Sequence, residues 1–160
     1  MPVWQQESAR SFVATVIDMA TDLWDLVVGR NHGTLATIKR DGRPQLSDIN
    51  YTADRERRII RISTRAPLAK THNLRRDPRA SLHVPAPGGY GYAVAEAAAT
   101  LSPVSGDEHD PTVEELIEVY RSVRGEDHPD WDDYRRAMVR DQRLVLRLAV
   151  ERLYGRTGAG

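Results

Sequence analysis

A series of short β-type runs constrains the fold of this chain more than any other feature. β-branched and other apolar residues alternate with polar ones at 34–39, 46–53, 59–63 and 79–84. Asp41-Gly42 separates the first two runs, and this pair between two β-type runs is typical of a hairpin. Short strands joined by tight polar turns predict an antiparallel sheet.

Helical spacing of apolar residues occurs on both sides of this region. An N-terminal helix is expected at about 8–29, stopped by Gly29. A short helix follows the third strand, entered through Pro67 and ended by Asp77-Pro78. Two more helices are predicted, from the N-cap Asp110 to Gly125 and from about 130 to 140.

The end of the chain predicts one more strand and a tail. Leucine and valine alternate with charged residues at 144–150, and the Gly-rich residues 156–160 are typical of a flexible tail. A chain of 160 residues is long enough for one core, so residues 1–155 are expected to form a single domain.

Composition excludes several classes of protein. The formal net charge is zero, which argues against a general nucleic-acid or anionic-membrane binder. Cysteine is absent, so disulfides and thiolate chemistry are excluded. No apolar run is long enough to span a bilayer and no N-terminal targeting signal is recognisable, so a cytoplasmic location is expected.

The motifs of most self-sufficient enzymes are missing. The five histidines show no ligand-like spacing, and no metal site is expected. The sequence contains neither G-x-S-x-G nor a phosphate-binding glycine loop, and it identifies no catalytic residue. If the protein is an enzyme, a bound cofactor must carry the chemistry.

The short helix predicted between Pro67 and Asp77 has the composition of an anion site. Lys70 and Asn73 are three residues apart, which predicts one shared helix face. The chain contains only two lysines, Lys39 and Lys70. An ammonium group with amide and hydroxyl donors suits a phosphate, although a solvated basic helix would have the same composition.

Several blocks, in this order, resemble the flavin-reductase-like split β-barrel family that includes pyridoxamine 5′-phosphate oxidase. The closest resemblance is to its actinobacterial branch, which binds the deazaflavin coenzyme F-420. The blocks that carry it are Gly33-Thr34-Leu35-Ala36-Thr37-Ile38, Asp41-Gly42-Arg43-Pro44-Gln45-Leu46-Ser47, Ala69-Lys70-Thr71-His72-Asn73-Leu74-Arg75-Arg76-Asp77-Pro78-Arg79-Ala80-Ser81, Tyr92-Ala93-Val94-Ala95-Glu96 and Trp131-Asp132-Asp133-Tyr134-Arg135.

The resemblance implies a mainly β fold with flanking helices, a six-stranded antiparallel split β-barrel. It also implies an obligate homodimer with two cofactor sites at the subunit interface. Residues 92–101 are rich in alanine and glutamate, which favour a helix. Because the family has a strand at this place, a strand is predicted here.

The resemblance also implies a set of cofactor-binding residues. Lys70, Thr71 and Asn73 would hold the cofactor phosphate together with Ser63. Gln45, Ser47 and Asn50 would lie along the ring, and Tyr90 and Tyr92 would approach from the partner subunit. Each has a plainer alternative, because Gln45 and Ser47 could complete a turn, Asn50 could be a polar residue at a sheet edge, and the tyrosines could pack in the dimer interface.

Two positions depart from the F-420-binding pattern. Leu68 stands where relatives often carry arginine, and Tyr90 stands where they carry tryptophan. The lost arginine removes a charge and a bidentate donor from the phosphate site, and Arg65, Arg75 or Arg79 are candidates to replace it.

The resemblance implies an F-420-dependent oxidoreductase that transfers a hydride between the deazaflavin and a small substrate with a polarised double bond. One alternative is an FMN-dependent oxidase of the pyridoxamine 5′-phosphate type, for which no second phosphate site is recognisable. The other alternative is a non-catalytic carrier of a cofactor or haem.

Overall fold

The computed structural model describes residues 23–157, in which seven strands form one antiparallel sheet and helices pack around it. The strands are β1 (His32–Ile38), β2 (Pro44–Asn50), β3 (Thr52–Asp54), β4 (Ile59–Arg65), β5 (Arg79–Pro85), β6 (Tyr92–Leu101) and β7 (Arg143–Arg156). The helices are α1, described over residues 23–28, α2 (Ala69–Arg76), α3 (Pro111–Arg124) and α4 (Trp131–Arg140).

The strand order shows how the sheet closes. It runs β2-β1-β5-β6-β7-β4-β3, so β2 and β3 are the two edge strands. A single residue, Tyr51, joins these edges in the chain. The sheet must therefore curl until the end of β2 lies next to the start of β3, and because no ladder joins these two strands within residues 23–157, the barrel is split. The predicted mainly β fold with flanking helices is confirmed.

The barrel has seven strands rather than the predicted six, because the predicted run 46–53 breaks at Tyr51. The ring of Tyr51 is fully buried, and its hydroxyl donates to the carbonyl of Val27 at 2.7 Å. The Tyr51 amide donates to the carbonyl of Asn31 at 2.9 Å, outside the strand ladders. The chain therefore leaves β1 at this residue and pairs next with β4.

Two apolar clusters hold the structure together. The larger fills the barrel and includes the fully buried Leu35, Ile62, Leu82 and Leu146. The smaller lies between α3, α4 and β7, and is formed by Val113, Leu116, Ile117, Val119, Tyr134, Met138 and Val145. Burial of apolar surface stabilises by about 25 cal/mol per Å², so the apolar contacts of this second cluster hold α3 and α4 against the sheet.

The caps of α3 and the extent of α4 match the sequence prediction. The Asp110 carboxylate accepts from the amide of Val113 at 2.8 Å, and Gly125 ends α3 with φ of 71°. Asp130 caps α4 in the same way, by accepting from the amide of Asp133 at 2.9 Å. These caps satisfy amides that a helix start leaves unpaired, so local sequence was enough to locate both helices.

Helix α2 begins later than predicted. Pro67 lies in the preceding turn rather than in the first turn of the helix, and Leu68 is the cap residue, with no side-chain hydrogen bond. The helix ends at Asp77 as expected, where the Asp77 amide donates to the carbonyl of Asn73 at 2.8 Å.

Residues 92–101 form a strand, as predicted, although alanine favours helices. β6 is hydrogen-bonded to β5 on one side and β7 on the other, and this pairing outweighs local propensity. β7 extends to Arg156, well past the predicted end at residue 150, because β6 provides a partner as far as Tyr92.

The ends of the chain are only partly described. Helix α1 ends before Gly29, as predicted, whereas the predicted helical residues 8–22 and the tail residues 158–160 lie outside the described part. Within residues 23–157, no helix is both long and apolar enough to cross a membrane.

Candidate functional site

A cleft of about 400 Å³ lies where the barrel meets the α3–α4 pair. Three strands, the turn before α2 and three helices contribute to it. It is lined by Asp48, Ile49, Asn50, Ser63, Thr64, Arg65, Leu68, Lys70, Val119, Tyr120, Val123, Arg124, Tyr134, Met138 and Arg143. Its volume is within the range of small-molecule and cofactor sites.

The cleft carries an excess of positive charge. Four of its lining residues are cationic: Arg65, Lys70, Arg124 and Arg143. Asp48 is the one carboxylate among the lining residues, and it accepts a hydrogen bond from the Thr34 hydroxyl at 3.1 Å. In a protein of zero formal net charge, this local excess makes the cleft a place for an anion.

Lys70 is the more constrained of the cations. Burial lowers the pKa of its ammonium group, and the nearby Arg143 guanidinium lowers this pKa further. The described residues provide no carboxylate that offsets these two effects. An anion bound beside Lys70 would supply the missing opposite charge.

Arg143 has an incomplete set of hydrogen bonds. Its Nη1 donates to the Ser63 hydroxyl at 3.2 Å. Its Nε is buried and has no hydrogen-bond partner within the described residues. Because a buried donor without a partner costs about 1–3 kcal/mol, the residues at this end of the cleft fit a phosphate or similar anion.

The opposite wall of the cleft is apolar and aromatic. It consists of Val119, Tyr120 and Val123 on α3 with Tyr134 and Met138 on α4. The Tyr134 hydroxyl donates to the carbonyl of Leu116 at 3.0 Å, and burial raises the pKa of this phenol to about 12. Tyr134 therefore stays neutral near pH 7 and does not act there as a general acid or base.

Three of the predicted site residues lie together in this cleft. Asn50 is at the end of β2, Ser63 is on β4 and Lys70 is in the first turn of α2. They are brought together because the β2 edge curls towards β4 and α2 follows β4 directly. Ser63 and Lys70 were predicted at the phosphate end of the site, whereas Asn50 was predicted along the ring.

Three other predicted residues have their polar groups engaged inside the protein. Thr71 is fully buried and its hydroxyl donates to the carbonyl of Arg65 at 2.8 Å. Asn73 donates through Nδ2 to Oε1 of Gln45 at 3.0 Å and to the hydroxyl of Thr37 at 3.1 Å. Lys70 and Asn73 therefore do not share the cleft, and Asn73 links α2 to the β1–β2 hairpin.

The remaining predicted residues do not line this cleft. Ser47 is half-buried on β2, where it pairs with Leu35 of β1. Tyr90 is 79% exposed in the β5–β6 loop. Tyr92 stacks on His83, with ring centroids 5.6 Å apart. A role of these tyrosines in a site on a partner subunit stays a prediction.

The structure adds residues that sequence reasoning missed. In the sequence, Arg143 is one of the charged residues that alternate with leucine and valine, a pattern typical of the solvent face of a strand. In the structure, it lies at the start of β7, directly opposite Arg65 of β4. Of the candidates to replace the lost arginine, Arg65 lines the cleft, whereas Arg79 is bonded to Asp77 and Arg75 is exposed outside the cleft lining. No local sequence signal distinguished these arginines.

Metal ligands are not grouped in the described region. No cluster of three histidine or carboxylate side chains is arranged there to hold an ion. The cations, hydroxyls and apolar wall of the cleft can together bind an anionic molecule that has an apolar or aromatic part.

Similar folds occur among solved structures. A conserved hypothetical protein of Mycobacterium tuberculosis matches with a TM-score of 0.67 and 27% identity, covering 84% of this chain and 82% of that one. An F-420 reductase matches with a TM-score of 0.62 and 19% identity, covering 81% and 94%. A heme binding protein from Mycobacterium smegmatis matches with a TM-score of 0.61 and 21% identity, covering 87% and 54%.

The last two likenesses, both below 25% identity, show the fold alone. The family model described as pyridoxamine 5′-phosphate oxidase matches residues 22–157, which is most of the chain and the whole of the barrel. The chain therefore belongs to the pyridoxamine 5′-phosphate oxidase family.

Proposed function

We propose that this protein is an oxidoreductase that uses the deazaflavin coenzyme F-420. The bound deazaflavin would supply or accept a hydride, and a small organic substrate with a polarised double bond would be its counterpart. Membership of a family that includes oxidoreductases supports the redox part of this proposal. The F-420 reductase among the similar folds supports the choice of cofactor.

The observation that carries the proposal is a cleft with an excess of cations that contains Lys70 and is also lined by α3 and α4. A phosphate held by Lys70 would leave space next to Tyr120 and Arg124. FMN ends at its phosphate, whereas the phosphate of coenzyme F-420 continues into an acidic side chain. Arg124, which lines this space, would suit the acidic side chain of coenzyme F-420.

The chain's residues have separate roles in this proposal. Lys70 and Ser63 would bind and orient the phosphate, with a charge-assisted hydrogen bond from Lys70. The apolar wall of α3 and α4 would exclude water from one side of the bound molecule. The resemblance implies that Gln45, Ser47 and Asn50 on β2 lie along the ring, and of these Asn50 lines the cleft. Positioning of this kind lowers the barrier without a catalytic dyad.

A homodimer is part of the proposal. Tyr90 is 79% exposed and Leu46, on the edge strand β2, is 65% exposed, so both side chains are available to a partner subunit. A partner subunit that covers them would bring Tyr90 and Tyr92 towards the ring of the neighbouring cofactor. The active unit would then hold two equivalent sites.

FMN and haem are the two alternative ligands that the test below distinguishes from coenzyme F-420. FMN would use the same phosphate end, and the family takes its name from an oxidase. A haem carrier has a similar fold among solved structures, at 21% identity.

Absorbance spectroscopy separates the three. The purified protein is incubated with coenzyme F-420, FMN or haemin and freed of unbound ligand by gel filtration. Retention of the violet-absorbing, strongly fluorescent deazaflavin is expected, followed by acceptor-dependent oxidation of reduced F-420. A yellow FMN complex that consumes oxygen, or a Soret band with no F-420 retained, would overturn the proposal.

A further inference from the structure

The backbone around Arg143 is fixed by several hydrogen bonds. The amide and hydroxyl of Ser105 both contact the carbonyl of Arg143, at 2.8 and 2.9 Å. The preceding Gln142 adopts a positive φ of 51°, and its carbonyl accepts from the amide of Ala66 at 2.9 Å. The turn before β7 is thus bonded to the turn before α2, and this holds Arg143 on the same side as Lys70.

The side chain of Arg143 has unused donors at this fixed place. Nη1 reaches Ser63 and Nε is without a partner among the described residues, so the guanidinium fork is only partly engaged. Lys70 is close enough for the two charges to influence each other. Two like charges held together in a partly buried site repel each other, and an anion between them would remove the repulsion.

Leu68, two residues before Lys70, supplies no cation to the cleft. It lines the cleft beside Lys70, and a leucine there contributes no charge. A phosphate site with one ammonium group alone would lack a bidentate donor, and a guanidinium provides one. Arg143 reaches the cleft from β7, the strand that pairs with β4.

We propose that Arg143 binds the same anionic group as Lys70 and takes the role that an arginine at position 68 would have. The inference rests on the proposed function, in that the anion would be the cofactor phosphate. It assigns the second cation of that site to β7, and it makes positions 68 and 143 interchangeable sources of one guanidinium.

Interchangeability gives a rescue experiment. Arg143→Ala should weaken binding of F-420 by about ten- to a hundredfold, since a hydrogen bond between charged groups is removed. Arg143→Lys should lose less because it keeps the charge. Adding Leu68→Arg to Arg143→Ala should restore most of the affinity. Arg140→Ala is the matched control, because Arg140 ends the helix just before this turn, is bonded to Asp141 at 3.1 Å and does not line the cleft.

Lysine NMR tests the same inference without the cofactor. Lys39 and Lys70 are the only lysines, so a protein labelled at lysine Cε should give two resonances, assigned with Lys39→Arg. The charged groups that line the cleft with Lys70 are Arg65, Arg124, Arg143 and Asp48. Removing Arg143 should raise the pKa of Lys70. Inorganic pyrophosphate should raise it in the wild type and bind more weakly to Arg143→Ala.

The outcomes separate the two proposals. If F-420 does not bind but pyrophosphate shifts Lys70 in an Arg143-dependent way, the proposed function fails and the inference about Arg143 stands. If Arg143→Ala folds and binds both F-420 and pyrophosphate like the wild type, the inference is wrong. Failure of Leu68→Arg to restore affinity to a folded Arg143→Ala protein would equally overturn the interchangeability of the two positions.

Discussion

Asn73 donates a hydrogen bond from Nδ2 to Oε1 of Gln45 at 3.0 Å and thereby ties helix α2 to the edge strand β2. The Asn73 side chain is buried, and it also donates to the hydroxyl of Thr37. This geometry gives Asn73 a structural role, because it holds the helix that carries Lys70 at a fixed distance from the hairpin. Its effect on cofactor binding is therefore expected to be indirect.

Asn73→Ala should lower the free energy of unfolding by about 1–3 kcal/mol, because it leaves buried partners on β1 and β2 without their donor. Urea denaturation followed by circular dichroism measures this. Arg75→Ala on the exposed side of the same helix is the control and should change stability little. An Asn73→Ala protein as stable as the wild type would show that the network is not structural.

Lys70→Ala should weaken cofactor binding by about one to two orders of magnitude, since a charged hydrogen bond to phosphate contributes about 1.5–3 kcal/mol. Fluorescence titration with F-420 measures the change. Arg57→Ala, in the exposed β3–β4 turn, should bind like the wild type.

Removing the charge of Lys70 should weaken cofactor binding, but it should not destabilise the apo protein. Burial and Arg143 lower the pKa of Lys70 in the folded protein, so the folded state holds its proton less strongly than the unfolded state. The stability of the apo protein is then reduced below the folded-state pKa, and this penalty disappears as the pH rises towards the ordinary lysine value. Lys70→Met should unfold at the same or a higher temperature at pH 7. A lower unfolding temperature would contradict the assigned direction of the shift.

Tyr51 closes the barrel, and its hydroxyl is part of that closure. Burial raises the pKa of the phenol far above its usual value, so it stays a donor to the Val27 carbonyl over the whole working pH range. Tyr51→Phe should cost about 1–3 kcal/mol, because the carbonyl at the end of α1 loses its partner. Tyr154→Phe, on a 40% exposed side chain, is the matched control for thermal unfolding and should be close to neutral.

Glu115 should make the attachment of α3 sensitive to acid. Hydrogen bonds from Arg147 hold the pKa of this carboxyl below its usual range, and Arg61 lies 3.7 Å away. Its contribution is therefore complete above the ordinary glutamate pKa and is lost as the pH falls through the lowered folded-state value.

Glu115→Gln should cost about 1 kcal/mol at pH 7, a modest figure because the Arg147 side chain is 39% exposed. The difference from wild type in urea unfolding should shrink as the pH falls below the ordinary glutamate pKa. Glu118→Gln, on a side chain that is 65% exposed, should have little effect at either pH. A Glu115→Gln penalty that does not depend on pH would exclude the assigned shift.

The parts of the fold that could be predicted are those decided by neighbours in sequence. Asp110 and Gly125 mark the ends of α3 by satisfying local backbone groups, and their residue types report this directly. The strand at 92–101 is different, because pairing with β5 and β7 decides it against the preference of alanine. Only the resemblance to a family located it in advance.

The sequence predicted the site residue that lies on one short helix. It did not predict the residue that strand pairing brings into the cleft. Lys70 was found because lysine is rare in this chain and lies on a short basic helix. Arg143 is 73 positions further along the chain and enters the cleft because β7 pairs with β4. The break at Tyr51 was also hidden, since the alternating pattern runs through it unchanged, and only burial of the ring inside the barrel explains it.

A competitive titration of coenzyme F-420 and FMN against the wild-type protein tests the proposed function most directly. Fluorescence at equilibrium gives both dissociation constants under the same conditions, and Lys70→Ala shows whether binding uses the cleft. Tighter binding of F-420 than of FMN, weakened about ten- to a hundredfold by Lys70→Ala, is the predicted result. Tighter binding of FMN, or F-420 binding that Lys70→Ala leaves unchanged, would contradict it.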